Sequence, residues 1–187
     1  MRIIAGEFKG FRLKHPKVAG IRPTSDRVRE YIFSCIQMGV VDSTVLDLFA
    51  GTGALGIEAL SRGAASATFV DNSAASIALI KENLERVQRS ATVHRRRAGA
   101  YLKYADQTFD FIFCDPPYDY DDFSAILQLI VDQKTLTKNA VFIYESSARQ
   151  MPPEAKGLKL TRQKKLGDTL ITFYQEDYES SSLSRNI

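Results

Sequence analysis

A chain of 187 residues that is 44% apolar and 25% charged has the make-up of an ordinary globular protein of one main domain, large enough to bury a core without disulfide or metal staples. A net charge of +3 is mildly basic, compatible with a nucleic-acid partner and far too small to demand one. No apolar run approaches the ~20 residues of a membrane span, MRIIAGEFKG lacks the apolar core of a signal peptide, and Cys35 and Cys114 stand in apolar runs with neither metal nor disulfide spacing, so the expectation is a cytoplasmic protein without membrane contact or metal.

In chain order, residues 2–13 (RIIAGEFKGFRL) predict two short strands around a turn with Gly6 and Gly10, a β-hairpin, followed by a loop over 14–24. Ser25 is a helix N-cap with Asp26 at the positive helix end. Val28, Tyr31, Ile32, Cys35 and Ile36 then recur on one helical face until Gly39 stops it. From residue 44 strands and helices alternate. TVLDLF is a strand, AGTG a tight turn and ALGIEALSR a helix; SATFVD is a second strand, and Ile77, Ile80, Leu84 and Val87 mark the next helix. ATVHRR, a short helix near Ala100–Tyr104, the apolar strand TFDFIFCD, the helix DDFSAILQLIVDQ and the strand AVFIYES follow. LKLTRQKKLGDTLITFYQ predicts a hairpin turning at Gly167–Asp168, and the polar end of the chain predicts a frayed tail. This alternation implies an α/β, doubly wound, mostly parallel sheet, whose ligands sit beyond the carboxyl ends of the strands.

Two turns after strands carry the chemistry. In Asp47-Leu48-Phe49-Ala50-Gly51-Thr52-Gly53-Ala54-Leu55-Gly56, Gly51 and Gly53 permit a tight turn and close approach of a ligand, and Gly56 lets the helix pack near the sheet. The second strand ends at Asp71, where a carboxylate can accept from ribose hydroxyls, a role Asn72 or Ser73 could share. A dinucleotide or S-adenosylmethionine fits this much. Asp47 separates them, because an acid beside the loop repels a pyrophosphate and suits a ligand bearing ammonium and sulfonium. Gly99 and Ala100, after the third strand, are candidates to lie under an adenine.

Asp115-Pro116-Pro117-Tyr118 follows the fourth strand. The prolines end the strand, remove two N–H donors and push Asp115 and Pro116 into extended conformations. A stiff turn offering only acceptors suits a substrate with an NH₂ group, and Tyr118 offers a face on which a base can stack. Guanine, with N1–H and N2–H₂ donors side by side, suits a carboxylate better than adenine does.

LDLFAGTGALGIEALSRGA together with DPPY resembles the class I methyltransferases that act on amino groups, in which Phe49 stands where many methyltransferases have glycine. RIIAGEFKGFRL followed by RPTSDRVREYIFS narrows the resemblance to the bacterial 16S rRNA guanine-N2 methyltransferase family, over nearly the whole chain. It implies a class I, Rossmann-like fold with a seven-stranded sheet and an antiparallel C-terminal hairpin, S-adenosylmethionine as methyl donor, and guanine N2 in 16S rRNA as acceptor, in a small-subunit ribosomal particle. It implies that Asp47, Phe49, Gly51 and Gly53 form the cofactor loop, that Asp71 holds the ribose, that Asp115, Pro116, Pro117 and Tyr118 hold the base, and that Arg22, Thr24, Arg27 and Arg29 lie near the mouth. Arg2, Lys9 and Arg12 on the N-terminal hairpin are candidates to neutralise RNA phosphates. The expected organisation is an RNA-contacting appendage over 1–24, a methyltransferase domain over 25–178 and a tail over 179–187, acting as a monomer. Competing readings are the same chemistry on adenine N6 of DNA or RNA or on a protein glutamine, an NAD-dependent oxidoreductase, and a silent RNA-binding protein.

Overall fold

The computed structural model describes residues 1–15, 25–117, 120 and 123–177. Among the described residues, five helices and seven strands follow residue 25: α1 (Asp26–Val40), β1 (Thr44–Leu48), α2 (Ala54–Ser61), β2 (Ser66–Asp71), α3 (Ala74–Arg86), β3 (Thr92–Arg95), α4 (Ala98–Leu102), β4 (Phe109–Cys114), α5 (Phe123–Asp132), β5 (Leu136–Ser147), β6 (Leu158–Leu166) and β7 (Thr169–Glu176). The strands form one sheet in the order β3-β2-β1-β4-β5-β7-β6. Neighbours are parallel from β3 to β5, and β7 runs antiparallel to both β5 and β6. The order reverses between β1 and β4, the place where an open α/β sheet leaves a crevice.

Alternating side chains of the strands feed two cores. Val45, Phe69, Phe111, Phe113, Ile143, Ile171 and Phe173 pack with α1, α2 and α3 on one face. Leu46, Leu48, Val70, Ile112, Cys114, Phe142 and Tyr144 pack with α4 and α5 on the other. The central strands are therefore covered on both sides, which is why β1 and β4 read as mostly apolar runs, interrupted by Asp47 and Asp110. No helix among the described residues is long and apolar enough to cross a membrane.

Ser25 caps α1 as its sequence position predicts, its hydroxyl accepting the Val28 N–H at 3.2 Å. Gly39 does not end the helix, which runs to Val40. A Cβ at Gly39 would stand 3.0 Å from the Phe111 ring, so this glycine makes room for the sheet instead of breaking the helix. Gly56 behaves as expected. A Cβ there would stand 2.3 Å from Phe69 Cε1, so only glycine lets α2 settle onto β2.

The N-terminal segment forms the predicted hairpin in a reduced form. Its arms meet in one antiparallel bridge, Arg2 with Arg12, and in three backbone hydrogen bonds, from the N–H groups of Ile3, Gly10 and Leu13 to the carbonyls of Phe11, Ile3 and Met1 at 2.9, 2.9 and 3.1 Å, without the longer strands expected. Its turn is held by α2. The buried Glu58 carboxylate accepts the Ile4 N–H at 2.8 Å and the Ala5 N–H at 3.1 Å. Ser61 accepts the Glu7 N–H through its carbonyl at 2.7 Å and the Phe8 N–H through its hydroxyl at 2.9 Å. These four donors around the turn are satisfied by the helix, and Ile3, Phe8 and Leu13 are buried in the first core.

Glu58 also faces Arg29, whose guanidinium is fully buried, with N–O distances of 3.5 Å to Glu58 and 2.7 Å to Asp26, while it donates to the Arg2 carbonyl at 2.7 Å. Arg62 completes the cluster at 2.8 Å from Glu58. Removing one partner of such a buried group strands the remaining charge. Glu58→Ala is therefore expected to lower stability by about 3–5 kcal/mol in denaturant titration. It should also abolish hydrogen-exchange protection at Ile4 and Ala5; retained protection there would refute this account of how the segment is held.

Candidate active site at the carboxyl ends of β1, β2 and β4

The glycine loop opens directly after β1. Its turn is tight because Gly51 and Gly53 sit at φ +54° and +75°, and the Gly53 N–H closes onto the Ala50 carbonyl at 2.7 Å. Phe49 also has positive φ, +56°, a strained conformation for a bulky residue. Its ring meets Tyr120 edge-on, with centroids 5.0 Å apart.

Two carboxylates hold this loop by its amides. Asp71 accepts the Gly51 N–H at 2.9 Å with one oxygen and the Ser73 N–H at 2.8 Å with the other. Asp47 is 2% exposed and accepts the Gly56 N–H at 2.9 Å, pinning the first turn of α2. Burial pushes the Asp47 carboxyl well above the usual carboxylate range; the Gly56 hydrogen bond opposes this, and the charges of Asp115 and Asp71 add to it.

Register fixes where the third acid lies. Leu48 pairs with Val70 on one side and with Cys114 on the other, so Asp71 and Asp115 both flank Phe49. Two strand spacings, about 10 Å, separate their backbones. Pro116 is buried and Pro117 exposed, and the Pro117 carbonyl accepts the Tyr120 N–H at 2.9 Å. One acceptor of the turn is thus engaged in closing the turn itself. Tyr118 lies outside the described residues, as do Arg22 and Thr24.

The remaining predicted residues divide. Asn72 is exposed beside Asp71, and its carbonyl accepts from the Arg95 side chain at 3.4 Å. Gly99 and Ala100 lie within α4, where Gly99 faces Ile126 and Leu129 of α5 and Ala100 is exposed. Arg2, Lys9, Arg12 and Arg27 are exposed. Arg29 is not; burial against Glu58 removes it from the residues able to meet RNA. Among the described residues no three His, Cys, Asp or Glu side chains gather as a metal site.

Two features escape the sequence reading. Tyr144, in register with Cys114, stacks on Phe123 with ring centroids 3.6 Å apart, making an aromatic wall beside Asp115. Burial first, then Cys114 and Asp115, push its hydroxyl up to about 12. An aromatic inside the apolar run AVFIYES reads as core, so nothing in the pattern marks it. Asn83, fully buried on α3, accepts the Lys14 N–H at 2.8 Å and donates to the Lys14 and Thr52 carbonyls at 3.1 and 3.0 Å. It ties the N-terminal segment to the glycine loop. A polar residue one turn from Ile80 on the buried stripe was its one visible sign.

Because Asp47 has a raised pKa in the folded protein, its protonated form favours folding at low pH. That contribution is lost as pH rises from the unfolded carboxylate range toward the raised folded value. Asp47→Asn is thus expected to raise the Tm of the ligand-free protein at about pH 8, by ~3 °C per kcal/mol, and to change it little near pH 4. Calorimetry that found the same shift at both pH values would contradict the assignment.

Comparison with known proteins agrees with this geometry. The family model described as conserved hypothetical protein 95 matches residues 1–175. Ribosomal RNA small subunit methyltransferase D of Escherichia coli (strain K12) is 35% identical over 184 residues, covering 97% of this chain and 93% of that protein. The protein of the same name from Haemophilus influenzae is 32% identical over 180 residues, covering 94% and 93%. The solved structure of yhhF from Escherichia coli superposes with a TM-score of 0.86 at 34% identity, over 96% of this chain and 99% of that one. SMU.776, solved with SAH bound, shares the fold at a TM-score of 0.68 and 20% identity, over 89% of this chain and 52% of that one. The sheet order, the glycine loop and these matches together place the chain in the ribosomal RNA small subunit methyltransferase D family, within the class I methyltransferase fold.

Proposed function

We propose that this member of the rRNA methyltransferase family moves a methyl group from S-adenosylmethionine to the exocyclic N2 of a guanine in 16S rRNA. The observation that carries this reading is the convergence of Asp47, Asp71 and Asp115 on the crevice between β1, β2 and β4. Three acids around one glycine loop suit a cationic ligand and oppose the pyrophosphate of NAD. The donor set therefore fits S-adenosylmethionine, with Asp47 toward the ammonium side, Asp71 and Asn72 toward the ribose, Phe49, Gly51 and Gly53 along the loop, and Gly99 and Ala100 toward the adenine. Bound there, it would supply a methyl group on a positively charged sulfur.

The protein's task is then placement. Asp115 accepts hydrogen bonds from the guanine N–H groups, and Pro116 and Pro117 keep donors away from them. This biases the amine lone pair toward the methyl carbon. The bound donor would supply a methyl carbon on a sulfur able to take back the bonding electron pair, and the amine held by Asp115 would give up its surplus proton to that carboxylate or to solvent. Holding amine and methyl in line supplies much of the rate. Tyr118 would stack on the extruded base. Arg2, Lys9, Arg12 and Arg27, with Arg22 and Thr24, would meet the RNA around it, in naked 16S rRNA or in a small-subunit particle.

Asp115→Ala is expected to lower kcat by about 10²–10³-fold while leaving affinity for S-adenosylhomocysteine within about threefold. Substrate identity is read from mass spectrometry of 16S rRNA nucleosides in a strain lacking the protein. One N2-methylguanosine should disappear, and an unchanged nucleoside profile would reject the guanine assignment.

A further inference from the structure

The residues assigned to the cofactor lie on β1, β2 and β3 or just after them, and Asp115 follows β4, so the carboxyl ends of β5 and β6 and the amino end of β7 belong to the substrate side of the sheet. At that side β6 is an edge strand with seven consecutive exposed residues, Lys159–Lys165. Its sequence LKLTRQKKL contains four cations and no acid. Lys164 and Lys165 stand opposite Ile171 and Leu170 of β7, which in turn stand opposite Glu145 and Ser146 at the end of β5. They therefore flank the Asp115 turn at three strand spacings, about 14 Å.

A second element brings another cation to the same place. Helix α1 runs antiparallel to β4, since Phe33 meets Phe113 while Gly39 meets Phe111. Its N-terminus thus points to the site end of the sheet. Tyr31 packs edge-on against Phe173, and Cys35 accepts from the Arg162 guanidinium at 3.2 Å. Arg27 is one turn before Tyr31 on that same helical face. Lys164 is two residues past Arg162 on the same strand face, and Lys165, pointing to the opposite face, adds its charge at the open edge of the sheet. A rise of about 6 Å along the helix and of about 7 Å along the strand puts Arg27 and Lys164 at matching heights.

Among the described residues Arg27, Lys164 and Lys165 have no acid within ion-pairing distance, whereas Arg2, Lys14 and Arg89 are matched with Asp26, Glu82 and Glu7. Lysines on an edge strand also discourage pairing with another sheet. That role needs charge somewhere along β6; it does not explain why an unpaired arginine on α1 joins them at the site end. Building on the proposed rRNA substrate, we infer that Arg27, Lys164 and Lys165 form a cationic ledge that binds the phosphodiester backbone of the RNA flanking the target base. The ledge lies too far from Asp115 to read the base, so it positions the strand without selecting sequence.

The test uses the full-length protein and small-subunit particles from cells that lack it. Lys164→Gln combined with Lys165→Gln should weaken particle binding roughly tenfold at about 0.1 M salt and make the plot of log Kd against log salt shallower by about 1–2 units. Lys164→Arg combined with Lys165→Arg should keep the wild-type slope. Affinity for S-adenosylhomocysteine and Tm should not move. If the glutamine pair binds particles with the wild-type Kd and slope, or merely self-associates, the ledge is refuted and β6 only guards its edge. If wild-type protein binds with the steep slope yet transfers no methyl group, the substrate reading fails while the ledge stands.

Discussion

Two carboxylates gripping backbone amides, one buried and one half-buried, are the constraint on which this site depends. Asp71 ends β2 and holds the amide of Gly51, while the buried Asp47, one residue before the end of β1, holds the amide of Gly56. Each links a strand to the loop or helix beside it, so the crevice keeps its shape without a ligand. Placing Asp47 at 2% exposure beside two other acids is unfavourable for its charge. That unfavourable potential is also what a cationic ligand relieves. On the proposed reading, structure and affinity would draw on the same carboxylates, with Phe49 at φ +56° between Asp71 and Asp115.

The N-terminal segment is part of this framework. Glu58 and Ser61 on α2 satisfy its amides, and Ile3, Phe8 and Leu13 add apolar contacts to the core formed by α1, α2 and α3. Arg29, buried under Arg2, supplies the charge that makes an interior Glu58 tolerable. At its far end Lys14 reaches Asn83, and Asn83 reaches Thr52 of the glycine loop. A segment able to meet RNA is therefore connected by hydrogen bonds to the loop that would hold the methyl donor, through a residue with no exposed surface.

The substrate side is built differently. Around Asp115 the partners are aromatic, with Phe49 against Tyr120 and Phe123 stacked on Tyr144. Such walls suit a flat ring better than a flexible chain. The cations stand further out, on the N-terminal segment, at the start of α1 and along β6. On the proposed reading, this would separate apolar contact with a base from ionic contact with a backbone.

Much of this was legible in the chain because it rests on local rules. Apolar strands alternating with amphipathic helices dictate a doubly wound sheet, Ser25 caps α1 where it should, and the glycine turn after LDLF and the proline turn after IFC fall at strand ends, where ligands bind. What local rules do not contain is the competition for each polar group once the chain is compact. Residues 2–13 read as a free-standing hairpin, and only folding shows its turn anchored by Glu58 and Ser61, more than fifty positions away. Arg29 looks like an RNA ligand until the same Glu58 buries it, and Gly39 looks like a helix stop until Phe111 fills the space beside it. The sequence by itself determined the order of elements and the chemistry of the two turns, since both follow from neighbours along the chain. The tertiary structure alone decided which charged and polar groups face outward, because that depends on partners brought together only by folding.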